Sequence, residues 1–201
     1  PDAPHGRLAA KVYRDRRFRA FANNADYADA GRIRDRRLAK AVRKGSRRGR
    51  RESQRLWVER EWEALVALKQ AGASVPRAVD HNDVAVLMEF LGDDSGPAPL
   101  LAECRLQGEA LQGAWLALRQ DLALLLLAGF VHGDLSPYNV LYCENRPRMI
   151  DLPQAIAVDD LSDSWSLFHR DVENVAGYFQ RQGLEIDVLQ EAVGLWERYA
   201  L

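Results

Sequence analysis

The chain has 201 residues, 47% of them hydrophobic, and 28 basic against 29 acidic side chains give a formal net charge of −1. That length and balance fit a soluble globular chain with room for one well-filled domain or two small lobes, and the two cysteines, Cys104 and Cys143, exclude a disulfide framework and favour a reducing, cytoplasmic setting. No apolar run approaches the roughly 18 residues of a membrane span, and the opening PDAPHGRLAAKVYR lacks the apolar core of a signal peptide.

Taken in chain order, Leu8 to Tyr13 (LAAKVY) reads as a short strand carrying one ammonium, Lys11, among apolar residues. Alone, such a lysine is a snorkelling surface residue; it becomes a site residue only if other groups need it. Residues Arg14 to Arg51 are polar and irregular, with Phe18, Phe21 and Tyr27 as anchors and a weakly capped helix over Asp26 to Val42. Between Arg32 and Arg55, twelve Arg and Lys face two acids, a local charge of +10 that leaves −11 for the remainder. That block reads as a linker, a solvated helix or a contact for phosphates on nucleic acid or a partner.

From Glu52 the helical pattern strengthens, with Leu56, Trp57, Glu61, Ala64, Leu65 and Leu68 at helical spacing and Gly72 ending the run. Glu61 falls on or beside the apolar stripe, so it needs a partner or an edge position. Ala78-Val79 and Val84 to Phe90 read as strands around a His-Asn-Asp turn, and GDDSGPAP from Gly92 to Pro99 breaks the chain into two lobes. Beyond it, Leu111 to Ala128 is a buried helix, and Val140 to Tyr142 and Arg148 to Ile150 are short strands joined through Glu144 to Pro147. Ser162 to Gln182 and Glu185 to Tyr199 are helices, the first with a Phe168, Val172, Val175 and Phe179 stripe, the second packing through Val188, Leu189, Val193, Trp196 and Tyr199.

The chemistry concentrates in Phe130 to Asp151, FVHGDLSPYNVLYCENRPRMID. Taken singly, Asp134 fits a turn or helix cap, Asn139 a turn, and Asp151 a strand end. Together they supply what phosphoryl transfer needs: a carboxylate, Asp134, to take a hydroxyl proton, and hard oxygen ligands, Asn139 and Asp151, for a divalent ion bridging phosphates. Lys11 would meet the alpha and beta phosphates, with Glu61 holding it in place. His132 beside Gly133 suits loop orientation by hydrogen bonding. Four histidines without ligand spacing argue against zinc chemistry, and the absence of G-x-S-x-G argues against a serine hydrolase.

HGDLSPYN matches the catalytic-loop pattern of protein kinases, H-x-D-x-x-x-x-N, and its Leu-Ser pair with Arg and Lys absent resembles the atypical RIO kinases, most nearly the RIO1 type. AAKVY, WVEREWEAL, VLMEFLGDDSGPAPLL, MIDLPQAI and LFHRDVENVAGYF extend the resemblance over nearly the whole chain in family order. The resemblance implies an α+β, bilobal protein-kinase-like fold. Its N-lobe, residues 1–91 with a basic insertion at 32–55, has antiparallel strands and one main helix, and its C-lobe, residues 92–201, is mostly helical. By the same resemblance Lys11 binds ATP phosphates and pairs with Glu61, Asp134 is the catalytic aspartate, and Asn139 and Asp151 hold Mg²⁺ or Mn²⁺. Met88, Glu89, Phe90 and Leu91 lie beside adenine, the backbone of Glu89 and Leu91 serving the base.

The implied reaction is ATP-dependent transfer to Ser or Thr of a protein, to the chain itself, or to water. In the ATPase branch Asp151 is a candidate phosphate acceptor. The sequence departs from the family in one respect: only PDAPHGRLAA precedes the strand lysine, where relatives carry a glycine-rich loop, typically S-T-G-K-E-A-N-V, so the chain as written is expected to bind ATP weakly or turn over poorly. Two other readings stay open. One is a small-molecule kinase of the aminoglycoside or choline type, and the other a noncatalytic assembly factor whose basic block contacts ribosomal RNA.

Overall fold

The computed structural model describes residues 6–13, 40, 42, 44–160 and 164–200. Apart from Lys40 and Val42, both helical, the helix expected over Asp26 to Val42 lies outside the described residues, as does the first part of the basic block.

Strands β1 (Leu8–Val12), β2 (Ala78–His81) and β3 (Ala85–Glu89) form one antiparallel sheet in the order β1-β3-β2. The β2–β3 turn closes on Asn82, whose side-chain oxygen accepts from Val84 N and Ala85 N at 2.9 and 3.0 Å. In β1 the register pairs Lys11 with Val86, and strand alternation puts Ala9, Lys11 and Tyr13 on one side.

That side faces helix α1 (Arg47–Gln70), which starts five residues before Glu52 because Ser46 caps it, its side chain accepting from Gly49 N at 3.1 Å. The second half of the basic block is therefore the opening of this helix. Its first turn contains no acid, so arginines sit against the positive end of the dipole, and the cap with the downstream stripe holds the helix instead. Val58, Glu61, Ala64, Leu65 and Leu68 form that buried stripe.

Past the small ribbon β4 (Gly92–Asp93) and β5 (Gly96–Pro97), helix α2 (Gly108–Leu127) runs through the core, with Leu118, Leu122 and Leu125 at zero exposure. Short β6 (Phe130–Val131) pairs with β9 (Ile156–Ala157), framing the loop that carries Asp134. Between them lies the hairpin of β7 (Val140–Cys143) and β8 (Arg146–Met149). Glu144 and Asn145 both take positive φ, 53° and 60°, giving a two-residue turn whose twist matches the strands. That turn fixes the register Val140↔Met149 and so brings the open ends together: Ile150 N donates to Asn139 O at 2.9 Å.

Helices α3 (Ser164–Arg181) and α4 (Val188–Tyr199) close the core. The stripe read for α3 is fully buried. In α4 the helix starts three residues after Glu185, capped by Asp187; Ala192 and Leu195 are buried on the face that Val188 and Tyr199 share, both packed against the core as read, while Leu189 is 58% exposed. Trp196 still packs, against Trp165 and Phe168. No described helix is long and apolar enough to cross a membrane.

Candidate active site

Lys11 reaches from β1 to two carboxylates, Glu61 Oε1 of α1 at 2.5 Å and Asp151 Oδ1, just beyond β8, at 2.6 Å. Glu61 is 1% exposed and its oxygens are used fully: besides Lys11, it accepts from the Tyr13 hydroxyl and from Leu152 N at 3.2 Å. Burying this carboxylate is tolerable because every donor it faces is in place. Asp151 has φ +63° and a side chain that is 46% exposed, so one carboxylate faces both Lys11 and the open cleft.

The loop bearing Asp134 is held from behind. Asp171 of α3, at zero exposure, accepts from Gly133 N at 2.7 Å and Leu135 N at 2.9 Å. Arg170 donates to Gly133 O at 2.6 Å and Asn174 to Leu135 O at 3.0 Å, so the backbone on either side of Asp134 is fixed. Gly133 is required where it stands: its φ is +78° and an added Cβ would meet Gln154 O at 2.8 Å. The Asp134 carboxylate accepts from Gln154 Nε2 at 3.0 Å, and its backbone carbonyl accepts from Asn139 Nδ2 at 2.6 Å. Partial desolvation at the cleft, then the neighbouring charge of Asp151, raises the Asp134 pKa from its ordinary value.

His132 orients the loop, as its sequence position suggested. It is completely buried with Nε2 3.1 Å from Ile150 O, and burial pushes its pKa down to about 4, so the ring is neutral near pH 7. Burial pushes Asp171 the other way, up to about 7, outweighing its two backbone N–H bonds.

These shifts oppose each other in stability. The folded chain keeps the Asp171 proton that the unfolded chain loses near pH 3.8, so that contribution is complete at low pH and is lost as pH rises to about 7. For His132 the contribution is complete above about pH 6.5 and is lost as pH falls to about 4. Relative to wild type, Asp171→Asn should therefore gain stability as pH rises from about 4 to 7, by up to about 4 kcal/mol in urea unfolding. A variant that stays parallel to wild type across that window would contradict the assignment.

The residues read as the adenine wall lie on β3 and just past it. Met88 and Leu91 are 8% and 6% exposed. Glu89 accepts from Arg77 N at 3.0 Å, Phe90 N donates to Arg7 O at 3.0 Å, and Leu91 O accepts from Ala98 N at 2.9 Å. The structure thus brings Lys11, Glu61 and Asp151 into direct contact, and likewise Asp134 and Asn139, with Asp134 and Asp151 close enough to shift ionisation. Sequence reasoning missed Asp171, Tyr13, Gln154 and Asn174. Asp171 had a visible signal, an acid three residues after Phe168 and four before Val175 in an apolar stripe, the same signal that marked Glu61.

An antiparallel sheet with one long helix, a helical layer beneath it and an HGD loop between them define the protein-kinase-like class of α+β fold. Solved structures agree: the Rio2 kinase of Chaetomium thermophilum in its ADP, Mg²⁺ and phosphoaspartate complex matches with TM-score 0.56 at 20% identity, covering 71% of this chain and 44% of that one. Another crystal structure of that kinase gives 0.55 at 21% identity.

Within that class the family follows from the sequence match: the RIO domain model matches residues 4–192, and the chain belongs to the RIO family. The RIO-type serine/threonine-protein kinase Rio1 of Haloferax volcanii is 35% identical over 133 residues, 66% of this chain and 45% of that protein. Rio1 of Thermoplasma acidophilum is 30% identical over 132 residues, 66% of this chain and 68% of that protein. Human serine/threonine-protein kinase RIO3 is 33% identical over 132 residues, 65% of this chain and 25% of that protein. The chain thus spans less than half the length of the Haloferax relative.

Proposed function

We propose that this chain is a RIO1-type ATP-dependent phosphotransferase acting on Ser or Thr of a protein, on itself, or on water. The observation that carries the reading is the contact of Lys11 with both Glu61 and Asp151, beside the fixed loop of Asp134. In this reading the ammonium meets nucleotide phosphates, and Glu61 keeps it extended into the cleft. Asp134 takes the proton of the incoming hydroxyl, with Gln154 and the Asp171 bonds setting its direction.

The residues present fit Mg²⁺. Asn139 commits its amide nitrogen to Asp134 O, which leaves the amide oxygen as its metal donor, and Asp151 supplies an accessible carboxylate. Among the described residues no cluster of three or more His, Cys, Asp or Glu side chains stands ready for a metal, so the ion would draw its remaining ligands from phosphates and water, as Mg²⁺ commonly does. When bound, Mg²⁺ neutralises charge on the phosphate oxygens. In the ATPase branch a carboxylate oxygen of Asp151 attacks the γ-phosphorus, ADP leaves, and water later cleaves the acyl phosphate. The phosphoaspartate named in the Rio2 complex supports that branch.

The test is incubation with γ-labelled ATP and Mg²⁺, following label on protein and phosphate release. Wild type should show Mg²⁺-dependent turnover that Asp151→Asn loses. Equal turnover in both would overturn the assignment, and label on added small metabolites alone would overturn the protein acceptor.

A further inference from the structure

The proposed mechanism leaves one buried carboxylate unused. Asp121, in the middle of α2, has zero exposure, and its Oδ2 has no hydrogen-bond partner. Its Oδ1 accepts from Ser74 N at 2.9 Å and lies 3.8 Å from Arg146 Nη2 of β8. Ser74 follows the end of α1 by a few residues and is itself buried; its carbonyl accepts from Met149 N, the last residue of β8, at 2.9 Å. The same short segment is tied back to α1, since Ala73 N donates to Leu68 O at 2.9 Å and Lys69 Nζ to Val75 O at 3.0 Å.

Ser74 is thus clamped between two elements that each lead to a carboxylate of the cleft. Toward the N-terminus, α1 carries Glu61; beyond Met149, β8 runs directly into Asp151. Those two carboxylates must meet one ammonium, and the tolerance of a pair of bonds at 2.5 and 2.6 Å is small.

We propose that Asp121 is a positioning residue, which fixes α1 against β8 through Ser74 so that Glu61 and Asp151 converge on Lys11. The role needs an acceptor oxygen at this position and not a charge. Burial raises the Asp121 pKa, against the Ser74 bonds and the nearby Arg146 and Arg148 charges. Asparagine should accordingly replace it well, and leucine should not.

The catalytic part of this inference rests on the proposed phosphotransferase reading, so its test uses a readout independent of turnover. Lys11 is acylated with an amine-specific reagent and followed by residue-resolved mass spectrometry, with exposed Lys44 as the internal reference. Labelling is done under conditions where urea unfolding shows each variant fully folded. In Asp121→Leu, Lys11 labelling should rise about five- to tenfold, the size of coupling expected between groups in one network. Asp121→Asn should stay within about twofold of wild type. If Asp121→Leu does not fold, Asp121→Ser, too short to reach Ser74 N, is read in its place.

With MgATP, the leucine or serine variant should lower kcat, and the loss should be non-additive with that of Glu61→Gln, because both act on the Lys11 contact. Unchanged Lys11 labelling in these variants, labelling of Asp121→Asn as fast as theirs, or additive kinetic losses would each overturn the role. A wild type with protected Lys11 and no ATP turnover would remove the phosphotransferase reading and leave the positioning role standing. An active wild type with insensitive labelling would do the reverse.

Discussion

Asp134→Ala should lower the rate of phosphoryl transfer by about 10²- to 10⁴-fold, the usual contribution of a positioned general base. The fold should survive, because the carboxylate side chain is exposed and its hydrogen bond runs to Gln154, while the Asp134 carbonyl that holds Asn139 is retained. Loop geometry also survives, since Asp171 grips the flanking Gly133 and Leu135 amides and not the Asp134 side chain. The KM for ATP should therefore change little while kcat falls. Steady-state kinetics with labelled ATP separate the two, and a variant with wild-type kcat would remove Asp134 from the chemistry.

Glu61→Ala should act on stability and activity together. The carboxylate is 1% exposed and receives Lys11, the Tyr13 hydroxyl and Leu152 N, so its loss strands donors in a buried pocket. Because Lys11 is 31% exposed and keeps a second carboxylate, the cost should fall below the about 3–5 kcal/mol of breaking a fully buried ion pair. The ammonium of Lys11, 5.1 Å from the Tyr13 ring centroid, would keep Asp151 as its remaining carboxylate and lose its fixed position. Glu61→Gln retains one acceptor oxygen, so it should be the milder change in urea unfolding and still impair turnover. Equal stability of Glu61→Ala and wild type would contradict the buried network.

Much of this site was legible because its residues announce themselves locally. An ammonium in an apolar strand, an acid on an apolar helical stripe, and an Asp and Asn flanking a short hairpin each violate the surrounding pattern, and their chain order matches one catalytic plan. The hairpin explains why Asn139 and Asp151, twelve positions apart in sequence, end as neighbours: a two-residue turn at Glu144 and Asn145 returns the chain in register.

What was not legible depends on tertiary contacts. Asp171 stood in plain view, but only the packing of α3 behind the loop makes it the acceptor for Gly133 and Leu135. The Tyr13 hydroxyl finds Glu61 only once β1 lies along α1. The periodicity of α1 is clear only from Glu52 because a helix opening with arginines and no acid lacks the usual charge signal, and the Ser46 cap marks its start. In α4 the face read from the sequence holds at Val188, Trp196 and Tyr199, while Leu189, one position round from Val188, turns to solvent.

The central claim is that one cleft gathers nucleotide phosphates between Lys11, Asn139 and Asp151. Calorimetric titration with ATP and with adenosine, each with and without Mg²⁺, tests it most directly in wild type and Asp151→Asn. Mg²⁺ should strengthen ATP binding to wild type, leave adenosine binding unchanged, and lose its effect in Asp151→Asn. If Mg²⁺ strengthens ATP binding equally in both proteins, or if wild type binds ATP no better than adenosine, the phosphates are not held there.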